Sequence, residues 1–235
     1  MHPAVYSLFL ATFCIGTTEV VIAGLLPQVA AELGVDIPAA GFLVTGYALS
    51  VAIGGPILTV VTTRLPRRAT LLAMMALFVL GHVLAAIAPN YAVLLLARIL
   101  TATAHGCFFG IAMVAAVGLV PEGRRGRAMS LIFFGITVAS IIGVPAGTYI
   151  GAAFGWRATF WILGAIAAAA TVAIAILLPP SGSSERAAIS VRDQLAALLN
   201  RTVLSSFALI ILAWTALWSV LTYIAPILIT LGGFT

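Results

Sequence analysis

Long apolar runs separated by short polar turns fill the chain. At about 1.5 Å rise per residue, each run is long enough to cross a bilayer as a helix. The pattern predicts a first helix from Ala4 to Pro27, then a polar loop over 28–38 holding Glu32, Asp36 and the helix-ending Pro38. A second helix spans Ala39 to Thr62, and Arg64, Arg67 and Arg68 crowd the turn before a third, Ala69 to Ala88. Pro89 and Asn90 turn the chain into a fourth helix that ends near Val120. The polar run PEGRRGR, 121–127, precedes a fifth from Ala128 to Ile150. A loop with Phe154, Gly155, Trp156 and Arg157 leads into a sixth, which ends near Leu178. The second half of the polar stretch 179–201 has apolar residues at helical spacing and reads as a helix lying along the membrane surface. A seventh helix covers Thr202 to Leu231. The expected organisation is therefore a six-helix bundle over 1–178, a linker over 179–201, and the first helix of an incomplete second bundle over 202–235.

Composition agrees with this all-α, polytopic membrane bundle. Hydrophobic residues make up 63% of the chain and charged residues 7%, against about 25% charged in a soluble domain. The net charge of +5 is spread over short loops, where arginines orient membrane segments, so a nucleic-acid partner is not indicated. Nine arginines fall in the loops after helices two, four and six, and Arg157 alone in the alternate loops. This predicts a cell-membrane protein with its N-terminus in the cytoplasm. Cys14 and Cys107 sit in apolar runs without Cys or His at ligand spacing, so neither a disulfide framework nor a metal site is expected. The first run has no basic residues before it and contains Glu19, which argues against a cleaved signal peptide.

Glu19 in helix one and Arg98 in helix four are charges isolated in hydrocarbon, which is costly unless they are paired or used. Glu19 lies roughly 12 Å and Arg98 roughly 10 Å below the outer ends of their helices. At equal depth they are expected to form a direct or water-bridged pair, either structural or involved in proton coupling. His105, roughly 21 Å deep, is a candidate second proton carrier or a packed histidine, and His82 is a weaker case. Gly135, Ala139, Gly143, Gly147 and Gly151 form a small-residue stripe on helix five, and Gly46, Ser50 and Gly54 another on helix two. Pro145 and Pro56 are expected to bend these helices. Tyr47, Phe108, Phe109, Trp214, Trp218 and Tyr223 are candidate cavity aromatics or packing anchors. The nucleophile and zinc-hydrolase motifs G-x-S-x-G and H-E-x-x-H are absent, so an enzyme is not expected.

Several stretches resemble the major facilitator superfamily, most closely its drug:proton antiporters and the chloramphenicol-resistance and sugar-efflux permeases among them. GPILTVVTTRLPRRATLL, 55–72, is similar to the loop between helices two and three, with Thr63 in place of the usual acidic residue and Pro66 in place of glycine. LLARILTATAHG, 95–106, resembles the helix-four motif whose arginine is Arg98 here. GVPAGTYIG, 143–151, is similar to the antiporter glycine-proline motif, with Val144 inserted. FGWRATFW, 154–161, resembles the start of helix six, and GTTEVVIAGLLP, 16–27, the acidic helix-one pattern. The resemblance implies a major facilitator fold and efflux of a small lipophilic, chloramphenicol-like compound by alternating access. A proton gradient would drive it and no cofactor is implied. It further implies proton coupling at Glu19 and Arg98, to which His105 is added as a candidate on its depth alone, and a cytoplasmic gating loop at Arg64, Arg67 and Arg68. The antiporter motif falls at Gly143, Pro145, Gly147 and Gly151, continuing the stripe that starts at Gly135; of the aromatics, Tyr47, Phe108, Phe109, Trp218 and Tyr223 are the candidates for lining the cavity, with packing as the alternative. Sugar efflux and a half-length module that dimerises with or regulates another transporter are the alternatives. Such transporters have about twelve helices, so a missing C-terminal half or a partner subunit is expected, and the helix-two and helix-five stripes would have no partner within this chain.

Overall fold

The computed structural model describes residues 1–180 and 200–230, with side chains of the second stretch as far as 217. Helices account for almost all of them. The first unit contains α1 (Pro3–Leu33), α2 (Ile37–Val61), α3 (Arg67–Ala86), α4 (Tyr91–Gly118), α5 (Arg125–Val138), α6 (Val144–Phe154) and α7 (Trp156–Leu177). α5 and α6 are two parts of one membrane crossing, Glu122–Phe154, so this unit holds six apolar spans. The second unit contributes α8 (Arg201–Thr230), whose start is capped where Asn200 Oδ1 accepts from the Thr202 amide at 2.9 Å. The expected surface helix of the linker lies outside the described residues.

Helix starts follow local capping chemistry. Asp36 accepts from the Ala39 amide at 2.7 Å, and Asn90 from the Val93 amide at 3.1 Å, each satisfying a donor that the first helical turn leaves orphaned. The first helix runs past Pro27, correcting the loop expected at 28–38. Val29 and Ala30 beyond the proline are buried, and in hydrocarbon a backbone meets its own hydrogen bonds only by remaining helical. The stop comes at Gly34, whose φ of 67° supplies the left-handed cap. Pro145 also does not end its crossing. It cannot donate to the carbonyl four residues earlier, and a π turn over Ala139–Gly143 just before it absorbs the mismatch.

Neighbour relations repeat with an internal symmetry: α2 packs on α4 as α5 packs on α1, and α3 packs on α4 as α7 packs on α1. That is the relation of two three-helix repeats, with α1 corresponding to α4. The glycine stripes serve this packing, which overturns the expectation that they lack partners in the chain. A Cβ on Gly135 would strike Thr12, one on Gly143 would strike Thr17, and Gly147 and Gly151 are closed by Val21 and Leu25, all on α1. In the other repeat a Cβ on Gly55 would lie 2.7 Å from the Gly106 Cα, and one on Gly54 would lie 2.7 Å from Thr103 Oγ1. Helix two is otherwise open on its outer faces, with Phe42, Leu49, Ile53 and Ile57 exposed.

Two apolar clusters make the core. One takes α1 up to Ile15, α3 up to Phe78 and α4 from Ala104 onwards; the other begins at Val21 and Ala85 and ends on α4 at Ala97. The seam between them holds Thr18, Glu19, His82, Arg98 and Thr101. The buried cation Arg98 thus lies in this seam, while other buried polar residues such as Thr12 and His105 sit beside it within the first cluster.

Candidate functional site

Arg98 is the hub of the seam, and only 1% of it is exposed. Its Nη1 donates to the Thr18 carbonyl oxygen at 2.7 Å and its Nη2 to that of Glu19 at 3.4 Å. The guanidinium carbon lies 4.1 Å from the centre of the Tyr47 ring, a cation-π contact that gains strength away from water. Tyr47 in turn places its hydroxyl 3.1 Å from His105 Nδ1. On the α1 side, Thr18 Oγ1 lies 2.9 Å from His82 Nε2, and His82 Nδ1 lies 2.9 Å from the Phe78 carbonyl oxygen. A continuous polar chain therefore crosses the bundle from α3 through α1 and α4 to α2.

The predicted carboxylate pairing is corrected in one respect. Arg98 docks on the backbone carbonyl of Glu19, and the ion pairs among the described residues are Arg125–Glu122 at 3.5 Å and Arg157–Glu32. The Glu19 side chain is half-buried, within electrostatic reach of Arg98, and makes no hydrogen bond among the described residues. Carbonyl dipoles and an aromatic face compensate the buried cation, which leaves the nearby carboxylate disengaged.

The candidate cavity aromatics separate. Tyr47 belongs to the polar chain, whereas Phe108 is fully buried in the first apolar cluster. Phe109 stands edge-on to Phe133 of α5, ring centres 5.4 Å apart. Trp218 and Tyr223 lie outside the residues whose side chains are described. Of the loop arginines, Arg68 Nη2 donates to the Ala175 carbonyl and ties the start of α3 to the end of α7, while Arg64 is exposed.

A second cluster at the opposite end of the bundle was not legible beforehand. Trp156 Nε1 donates to Glu32 Oε2 at 2.7 Å, and Arg157 Nη1 pairs with Glu32 Oε1. Arg157 Nη2 also donates to the Ala88 carbonyl at 2.8 Å, and its guanidinium carbon sits 4.1 Å over the Trp156 ring. The adjacent Trp-Arg pair was the available signal, and the loop expected at Glu32 hid its partner.

A helical bundle of two related three-helix repeats with a charge held at mid-depth is the architecture of a secondary transporter. The Major Facilitator Superfamily description matches residues 8–235, and the chain belongs to that superfamily. It is 40% identical over 222 residues to the inner membrane transport protein YdhP of Escherichia coli (strain K12), covering 94% of this chain and 57% of that protein. To the chloramphenicol resistance protein of Streptomyces lividans it is 33% identical over 231 residues, covering 97% of this chain and 59% of that one. Among solved structures, the proton:xylose symporter XylE superposes with a TM-score of 0.67 at 18% identity, over 76% of this chain and 45% of that one. The peptide transporter POT in complex with sulfate gives 0.67 at 17% identity, over 100% and 48%. The chain spans little more than half the length of the curated relatives it matches. It is a multi-pass membrane protein of a transporter family, not an enzyme.

Proposed function

We propose that this chain provides the proton-coupling half of an exporter that moves a small lipophilic compound by antiport with protons, through alternating access. The observation that carries the reading is the disengaged Glu19 carboxylate beside an Arg98 whose two terminal nitrogens are held by carbonyls and whose face lies on Tyr47, while its Nε is buried without a partner among the described residues. In that arrangement the carboxylate can take up and give away a proton while the guanidinium keeps its seat, and movement of α1 against α4 changes their separation. Beyond Arg98, Tyr47 of α2 carries the polar contacts on, its ring under the guanidinium and its hydroxyl against His105 of α4. Scarcity of polar groups in the bundle suits a neutral or cationic lipophilic substrate, and the Streptomyces lividans relative makes chloramphenicol the first compound to try. The arginine-rich ends after α2 and α4 support a cytoplasmic N-terminus and a seat in a cell membrane. Because both glycine stripes are occupied within the chain, they offer no open face for a dimerising module. The test is chloramphenicol uptake driven by a pH gradient into everted vesicles from cells expressing the gene. Glu19→Gln is expected to abolish gradient-driven uptake while leaving exchange of labelled for unlabelled compound. Undiminished gradient-driven uptake would overturn the reading.

A further inference from the structure

We propose that His82 and Thr18 act as a positioning pair that holds the turn of α1 on which Arg98 docks. This deepens the proton-coupling reading and rests on it. Threonines in apolar helices commonly return their hydroxyls to their own backbone. Thr12 does so to the Phe9 carbonyl at 2.9 Å while also meeting the Ile132 carbonyl of α5 at 3.1 Å, and Thr17 does so to that of Phe13 at 2.9 Å. Thr18, the next residue, instead reaches across to α3.

The direction of that bond follows from its neighbour. The Phe78 carbonyl oxygen only accepts, so His82 Nδ1 carries the ring proton, Nε2 is the acceptor, and the Thr18 hydroxyl donates. Through its main chain the same Thr18 accepts from Arg98. One residue is thus gripped by α3 through its side chain and by α4 through its carbonyl. The imidazole is itself fixed: His82 is 0% exposed, its ring lies 4.4 Å from that of Phe78 and 6.1 Å from that of Phe160, and a Cβ on Gly164 would come within 3.1 Å of its Cβ. If released, the Thr18 hydroxyl has the carbonyl one turn back, that of Cys14, as its alternative acceptor, and such back-bonding bends a helix. His82 removes that alternative and keeps the Thr18 and Glu19 carbonyls aimed at Arg98.

Two near-isosteres separate positioning from mere packing. Glutamine at 82 sets its terminal oxygen near the place of Nε2 and keeps the acceptor for Thr18; asparagine keeps the donor toward Phe78 and abandons Thr18. The readout is hydrogen–deuterium exchange of α1 in the full chain in nanodiscs, with Tm measured in parallel. His82→Asn is expected to raise exchange across residues 18–22 about tenfold, and His82→Gln to stay within about twofold of wild type at a similar Tm. From the other side of the bond, Thr18→Val should reproduce the asparagine result and Thr18→Ser the glutamine one, which decides the matter if a His82 variant fails to fold. Equal exchange in all variants, or an equal rise with asparagine and glutamine, overturns the proposal. Chloramphenicol uptake at a fixed pH gradient should fall about fivefold in His82→Asn and Thr18→Val only. If the wild type shows no gradient-driven uptake, the coupling reading fails, while the exchange result still decides the positioning.

Discussion

Arg98 and Arg157 are held in nearly the same way and differ in one partner. Each guanidinium lies 4.1 Å over an aromatic ring, Tyr47 or Trp156, and each donates to backbone carbonyls. At the end of the bundle, Arg157 also closes an ion pair with Glu32, and both side chains keep contact with solvent, at 32% and 51% exposure. At mid-depth, Arg98 faces a carboxylate that it does not grip. A clasp and a poised charge can therefore share one set of contacts. What distinguishes them is whether the neighbouring acid is engaged, and burial makes that difference consequential because an unshielded charge there acts on everything near it.

The comparison breaks most severely at Arg98. Arg98→Lys preserves the charge, yet an ammonium cannot fork to two carbonyls while lying flat on Tyr47. Gradient-driven transport is expected to fall about a hundredfold, equivalent to roughly 3 kcal/mol of lost charged hydrogen bonding. Uptake normalised to the amount of protein in the membrane measures it, and near-normal uptake by the lysine variant would show that charge alone suffices. A smaller change tests the far side of the hub. Tyr47→Phe keeps the face presented to Arg98 and deletes the hydroxyl that meets His105, so a loss of about three- to tenfold in rate is expected. A deficit as large as that of Arg98→Lys would mean that His105, not the cation, is the centre of the path.

Much of this was legible in the sequence, for reasons that also explain what was missed. Six long apolar runs read directly as spans because the bilayer fixes their length and composition, and Arg98 stood out because a charge in hydrocarbon is conspicuous. The continuation past Pro27 was missed because proline reads as a stop in water, whereas a membrane helix has nowhere else to satisfy its backbone. That error placed Glu32 in a loop and hid its pairing with Arg157. The stripe from Gly135 to Gly151 was recognised as a packing face, but small residues do not announce which helix they receive; here it is α1, not an external partner. Arg98's true acceptors were illegible because they are the Thr18 and Glu19 backbone carbonyls, and the Thr18–His82 bond was hidden by long-range helix pairing.

The mildest test concerns the clasp. Glu32→Gln keeps an acceptor for Trp156 Nε1 but removes the charge that Arg157 faces. Because the pair is partly exposed, the cost should be only about 0.5–1 kcal/mol, read as a fall of about 1–4 °C in Tm. Transport should remain near wild type, since α1 keeps its packing on α7 at that end through Trp156 and its neighbours in the second apolar cluster. Ionic strength supplies the contrast with the buried site. At 1 M salt the screening length contracts to about 3 Å, so wild type and Glu32→Gln should converge in Tm, whereas the transport deficit of Arg98→Lys should not respond. Convergence in both, or in neither, would mean that the two arginines do the same job at different depths.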